Sequence, residues 1–114
     1  MAFSHSLARR VREFFGRRRG VTERQMFGGL AFLLHGHMCV GVWQDSLIAR
    51  LGVEQAAIAL IQPHVQEFDV TGRPLKGWVV VAPNGLENDA QLAAWIENAI
   101  EFVSRLPPKK VSPR

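Results

Sequence analysis

Three side chains that could bind a metal or act as a nucleophile lie close together, namely His35, His37 and Cys39. Imidazole and thiolate groups are typical zinc ligands, and a cysteine beside a histidine can become a nucleophile. The spacing matches no standard zinc pattern, and His64 would have to come from a separate loop. We therefore predict no metal, cofactor or catalytic group, and place Cys39 in the core. A metal or thiol enzyme is the least favoured alternative.

Positive charge is concentrated before the first long apolar stretch. The chain has a net charge of +4, and residues 1–24 alone carry +5, so the remainder is nearly neutral. Such an asymmetry indicates an anionic partner such as nucleic acid. Arginine side chains usually bind such a partner by contacting its phosphates. The alternative is a solvated helix face followed by a soluble loop. The candidate nucleic-acid-binding residues are Arg9, Arg10, Arg12, Arg17, Arg18, Arg19 and Arg24.

A second candidate site is the loop before residue 78, where Arg73 and Lys76 flank Pro74 and precede Trp78. Two cations on a rigid loop beside an aromatic ring could bind an anion or a peptide. An ordinary soluble loop is the alternative.

The elements that would position these residues begin with a predicted three-stranded meander over residues 26–51. A turn at His35-Gly36 and another at 44–46 divide it. In the first strand, Leu30, Phe32 and Leu34 share one face and should point into the core. Met38, Val40 and Val42 are expected to share a face of the second strand.

Both faces of this meander are apolar, whereas an antiparallel sheet usually has one polar face. The second face must be covered by a helix or by another copy of the protein. A small domain has few helices to spare, so we predict a homodimer that buries it.

Helical patterns flank the strands. A first helix is expected from a Ser6 cap to Gly16, and a second over residues 52–62, with Val53, Ala56, Ala57, Leu60 and Ile61 on its apolar side. Trp78-Val79-Val80-Val81-Ala82 predicts a strand. The last helix should start at Asn88, with Gln91 completing a capping box. The predicted fold is α+β: an antiparallel sheet of the meander plus one or two further strands, with helices on it.

Length and composition predict one domain over residues 1–106 and a disordered tail over 107–114. A single cysteine allows no internal disulfide, which favours a reducing compartment. No segment resembles a signal peptide or reaches the roughly 18 apolar residues of a membrane span, so we expect a cytoplasmic protein without membrane contact.

Several short motifs, in order, make the chain resemble the TfoX (Sxy) N-terminal domain family from about Arg9 to Leu106. They are Gln25-Met26-Phe27-Gly28-Gly29, Gly36 with Met38, Leu47-Ile48-Ala49-Arg50-Leu51, Gly72-Arg73-Pro74 with Gly77-Trp78-Val79, and Leu92, Trp95 and Ala99. The resemblance implies a fold like that of type III secretion chaperones, often dimeric, and supplies no catalytic residues. The family namesake regulates competence in bacteria with the cyclic-AMP receptor protein and has a second, helical domain, which this chain is expected to lack as a stand-alone member.

Our first functional hypothesis is therefore a small cytoplasmic interaction module, not an enzyme, that regulates transcription or competence through a protein partner. The second is direct nucleic-acid binding through the arginines of residues 9–24.

Overall fold

The described part of the chain forms a six-stranded antiparallel sheet with three α-helices and a short 3-10 helix at Pro83–Gly85. The computed structural model describes residues 3–26, 28–69, 72 and 74–107. The strand order is β1-β2-β3-β4-β6-β5, which confirms the predicted α+β sheet and extends it by one strand at its start. The elements in chain order are α1 His5–Phe15, β1 Val21–Met26, β2 Gly29–Leu34, β3 His37–Trp43, β4 Ser46–Arg50, α2 Val53–Ala59, β5 Val65–Glu67, β6 Trp78–Val81 and α3 Asp89–Ser104.

The extra strand is β1, which the sequence reading treated as a lead-in to a longer strand beginning at Met26. Gly28 has φ +77°, a backbone conformation that breaks an L-residue strand, so the chain turns there and β1 pairs with β2. Strand β1 lies at the sheet edge and is exposed over nearly all its length. Because β1 is an edge strand without a buried face, its residues do not alternate between apolar and polar, and the sequence pattern did not predict a strand there.

Strands β2 and β3 are joined by the predicted tight turn, since His35 (φ +52°) and Gly36 (φ +88°) both have the positive φ that a two-residue hairpin uses. The ladder then shifts by one residue: Phe32 pairs with Val40 but Leu33 pairs with Met38. Cys39 is the extra residue of this β-bulge. The expectation that Met38 shares a face with Val40 is therefore wrong.

Helix α1 begins two residues earlier than predicted. The cap is Ser4 and not Ser6, because the Leu7 amide donates to Ser4 Oγ at 3.1 Å. Ser6 instead lies within hydrogen-bond distance of the Ser4 hydroxyl. Gly16 ends the helix as expected, with φ +54° and its N–H donating to the Arg12 carbonyl.

Helix α3 carries the predicted capping box. The backbone N–H of Gln91 donates to Asn88 Oδ1 at 2.8 Å, and the backbone N–H of Asn88 donates to Gln91 Oε1 at 3.1 Å. Beyond its other end, His37 Nε2 donates to the Pro107 carbonyl at 2.6 Å and so ties the end of the helix to the start of β3.

The core lies between one face of the sheet and the three helices. The ring of Phe32 is stacked on that of Phe15, with 5.7 Å between centroids. The predicted apolar side of α2 is confirmed only in part: Ala56 is buried and Leu60 packs against the core. Val53, Ala57 and Ile61 are exposed, and the second buried residue of the helix is Ala59. The other main core side chains are Leu7, Val11, Leu30, Val40, Val42, Leu47, Val79, Val81, Leu92, Ile96 and Val103.

Some sequence predictions lie outside the described residues. These are Phe27 and Arg73 of the family motifs, and the predicted tail beyond Pro107. Among the helices of the described part, none has the length and apolar character that crossing a membrane requires.

We expect Phe32→Ala to lower the free energy of unfolding by about 3–5 kcal/mol, because Phe32 is 1% exposed and truncation leaves a cavity between α1 and the sheet. Urea denaturation followed by circular dichroism measures it. The control is Ile61→Ala, which removes a side chain that is 82% exposed and should change stability by less than about 0.5 kcal/mol. Equal effects of the two substitutions would contradict the described packing.

Candidate functional site

The face of the sheet opposite the core is built from the residues that alternate with core residues along each strand. In the central register, Ala31 pairs with Gly41, Gly41 with Ile48, and Ile48 with Val80. Because directly paired residues point to the same side of a sheet, these residues share one face. We call it the open face, and its strand residues are Ala31, Leu33, Met38, Gly41, Trp43, Ile48, Trp78 and Val80. Phe68, just after β5, joins it through a ring contact with Trp78.

None of the three helices covers the open face. Every buried residue of α1, α2 and α3 belongs to the core cluster, and the strand residues of that cluster are those of the opposite face. Ala31 and Ile48 are both 0% exposed, yet neither is part of the cluster. Larger side chains on the same face surround them, and these are only half-buried: Leu33, Met38, Trp43, Trp78 and Val80.

The bulge at Cys39 contributes to this surface. It turns Cys39 toward the core and places Met38 beside Leu33 on the open face. The rim carries the polar residues Thr22 and Arg24 of β1 on one side, next to the exposed Met26, and Gln66 of β5 on the other. The centre has no charged residue.

At one corner of the open face, the Arg50 guanidinium carbon lies 5.1 Å from the ring centroid of Trp78 and 5.7 Å from that of Phe102. Both distances suit a cation–π contact. Phe68 packs against the other side of this group, 5.9 Å from Trp78 between centroids. The sequence reading missed Arg50, because only the pairing of β4 with β6 brings it opposite Trp78.

The structure therefore separates the members of the predicted loop site. Trp78 belongs to the sheet and contacts Arg50, while Lys76 is exposed on the preceding loop. Arg73 lies outside the described residues. Anion or peptide binding by this loop stays a prediction.

The seven candidate arginines of residues 9–24 are also dispersed. Arg10 forms an ion pair with Asp89 of α3 at 3.3 Å, and Arg12 forms one with Glu23 of β1. Arg24 lies at the rim of the open face, on the other side of the sheet from α1. Arg9 is exposed on α1, and Arg17, Arg18 and Arg19 are exposed in the loop between α1 and β1.

The pair between Arg12 and Glu23 is bidentate, with distances of 2.6 Å from Nε to Oε2 and 2.8 Å from Nη2 to Oε1. The hydrogen bonds from Arg12 hold the pKa of Glu23 below its usual range, and the same bonds raise the pKa of Arg12. Because both groups are largely exposed, such a pair contributes on the order of 1 kcal/mol or less. Its main consequence is that Arg12 already has a carboxylate partner.

Cys39 lies in the core, as predicted, and is 0% exposed. Burial raises the pKa of its thiol to about 12, with the positive charges of Arg18 and Arg50 acting in the opposite direction. A thiol with so high a pKa is protonated at neutral pH and is a poor nucleophile. Within the part of the chain that the structure describes, no three His, Cys, Asp or Glu side chains come together as metal ligands.

A groove between α2 and α3 is a feature that sequence reasoning did not find. Two adjoining cavities of about 520 and 300 Å³ share Leu51, Gln55 and Asn98 in their lining. Val53 and Ile58 line its α2 side and are 62% and 60% exposed. The sequence of α2 could have indicated this groove, because the helix has more apolar residues than one narrow buried stripe can hold.

One family model matches the chain: that of the TfoX N-terminal domain, over residues 13–103. No curated protein and no solved structure matches it. The matched range includes strands β1 to β6, helix α2, most of helix α3 and only the end of helix α1, so it contains the whole open face.

We expect Cys39 to react with a thiol reagent such as Ellman's reagent far more slowly in the native protein at pH 8 than in urea. The thiol is buried and its pKa is raised, whereas unfolding returns it to its ordinary range near 9.0. The released chromophore measures the reaction. Complete labelling of the native protein within the mixing time would show that Cys39 is accessible and would contradict its core position.

Proposed function

Because the chain belongs to the TfoX N-terminal domain family, we propose that it is a small cytoplasmic interaction module that regulates transcription through protein contacts. This family is not known as catalytic. The observation that carries the proposal is the open face: an apolar sheet surface of nine residues on which none of the described helices packs.

A surface of this kind is uncommon on a monomeric protein, because large contiguous apolar patches are usually buried by a partner. Its partly buried side chains include Trp43 and Trp78, and aromatic residues are enriched at the centres of protein interfaces. The chemistry favours another protein surface over a nucleic acid, since the centre of the face has no cation to contact a phosphate.

The partner that fits the open face is a second copy of the same chain. In a two-fold dimer each residue near the axis meets the same surface of the other subunit, so a charged centre would bring like charges together. The uncharged centre avoids that cost, and polar residues such as Thr22 and Gln66 remain at the rim. A homodimer would bury the apolar surface and leave the helices and the α2–α3 groove for a different protein partner.

We expect Met38→Glu and Val80→Lys, each tested separately, to convert the dimer to monomer. Each places one charge in the contact, where loss of hydration costs several kcal/mol and should weaken association by on the order of a hundredfold or more. Sedimentation velocity at tens of micromolar measures the oligomeric state.

The matched control is Ile61→Glu, which adds a charge at an apolar residue in the turn after α2 that is already 82% exposed. It should leave the dimer intact. Thermal unfolding of all three variants establishes that each is folded before its oligomeric state is compared. The proposal is wrong if the unmodified protein sediments as a strict monomer, or if the folded open-face variants remain as dimeric as the control.

A further inference from the structure

The loop between α1 and β1 brings three arginines to one corner of the molecule. Arg17, Arg18 and Arg19 are all exposed and follow the end of α1 at Phe15. None of them takes part in an ion pair in the described part of the chain, where the pairs involve Arg10, Arg12 and Arg105. We call these three residues, together with His35, the basic corner.

Backbone contacts hold this loop at both ends. At its start the Arg18 amide donates to the Phe15 carbonyl at 2.9 Å. At its end the His35 amide donates to the Gly20 carbonyl at 2.8 Å, which fixes the loop against the turn between β2 and β3. A Cβ on Gly20 would lie 2.5 Å from the imidazole of His35, so the ring sits directly over this glycine. The arginines therefore project from an anchored loop.

The carboxylates near the corner leave its charge largely uncompensated. Glu23 is already bonded to Arg12, and Glu97 lines a cavity with Arg18 without forming an ion pair. Arg17 and Arg19 line none of the cavities described above. The structure thus divides the seven arginines of residues 9–24 into those with carboxylate partners, those that stand alone, and one group of three.

We propose that the basic corner binds the phosphate backbone of double-stranded DNA without reading its sequence. Guanidinium groups match phosphate oxygens in a bidentate geometry, and adjacent arginines can contact successive phosphates, with release of counterions. Residues 16–20 contain only glycine and arginine, so the loop offers no aromatic ring on which a single-stranded base could stack. It also has no apolar side chain to enter a lipid bilayer, which disfavours a membrane surface.

Fluorescence anisotropy of a short labelled duplex of mixed sequence, titrated at several salt concentrations, tests the proposal. The variant Arg17→Ala/Arg18→Ala/Arg19→Ala should bind at least about tenfold more weakly at low salt. The slope of log affinity against log salt should fall by about two to three, since each duplex phosphate contact contributes roughly 0.9.

The matched control is Arg9→Ala/Arg10→Ala/Arg24→Ala, which removes the same formal charge from elsewhere on the surface. It should keep the slope within about one of that of the unmodified protein. Both variants should keep the melting temperature of the parent to within a few degrees, because the substituted side chains are exposed or at most half-buried.

Three results would overturn the proposal. The unmodified protein could fail to bind the duplex at low salt. The two triple variants could lose equal affinity, in which case net charge alone attracts the DNA. A single strand of the same sequence, or vesicles of phosphatidylserine, could bind more tightly than the duplex, which would assign the corner to a different partner.

Discussion

An antiparallel sheet with two apolar faces but helices on only one of them is the constraint on which the rest of this structure depends. The core face is closed by α1, α2 and α3, and residues such as Phe32 and Val40 are almost completely inaccessible to water. The open face presents Trp43 and Val80, which are only partly buried. The hydrophobic effect stabilises the covered core face, and the same effect makes an uncovered apolar face unfavourable in an isolated chain. The proposed protein contact would cover the open face and remove this imbalance.

The β-bulge at Cys39 connects the two faces. Without the extra residue, strict alternation would place Cys39 on the open face and Met38 in the core. The bulge reverses this, so that the small thiol packs among core side chains and the flexible thioether joins the exposed surface. Methionine adapts its shape to a contacting surface, which suits an interface. The same shift explains why the residue with the most reactive chemistry has a pKa raised to about 12.

Sequence reasoning predicted the elements whose signals are local. The capping box of Asn88 and Gln91 and the turn at His35-Gly36 each follow from a few neighbouring residues. It failed where tertiary context decides: β1 is a strand only because it pairs with β2, and α2 buries two alanines while exposing Val53 and Ile58. The contact between Arg50 and Trp78 depends on strand pairing across more than twenty residues, for which one sequence gives no signal.

The proposed dimer contact through the open face is tested most directly by measuring intermolecular distances. Because Cys39 is buried, a cysteine introduced at Thr22 or Glu97 can be spin-labelled selectively in the native protein. Thr22 lies at the rim of the open face, and Glu97 lies on α3 on the opposite side of the sheet. Double electron–electron resonance should give a clear distance between subunits for both labels, and the distance from Thr22 should be the shorter one. A shorter distance from Glu97, or no dipolar coupling at either position, would contradict burial of the open face by a second copy.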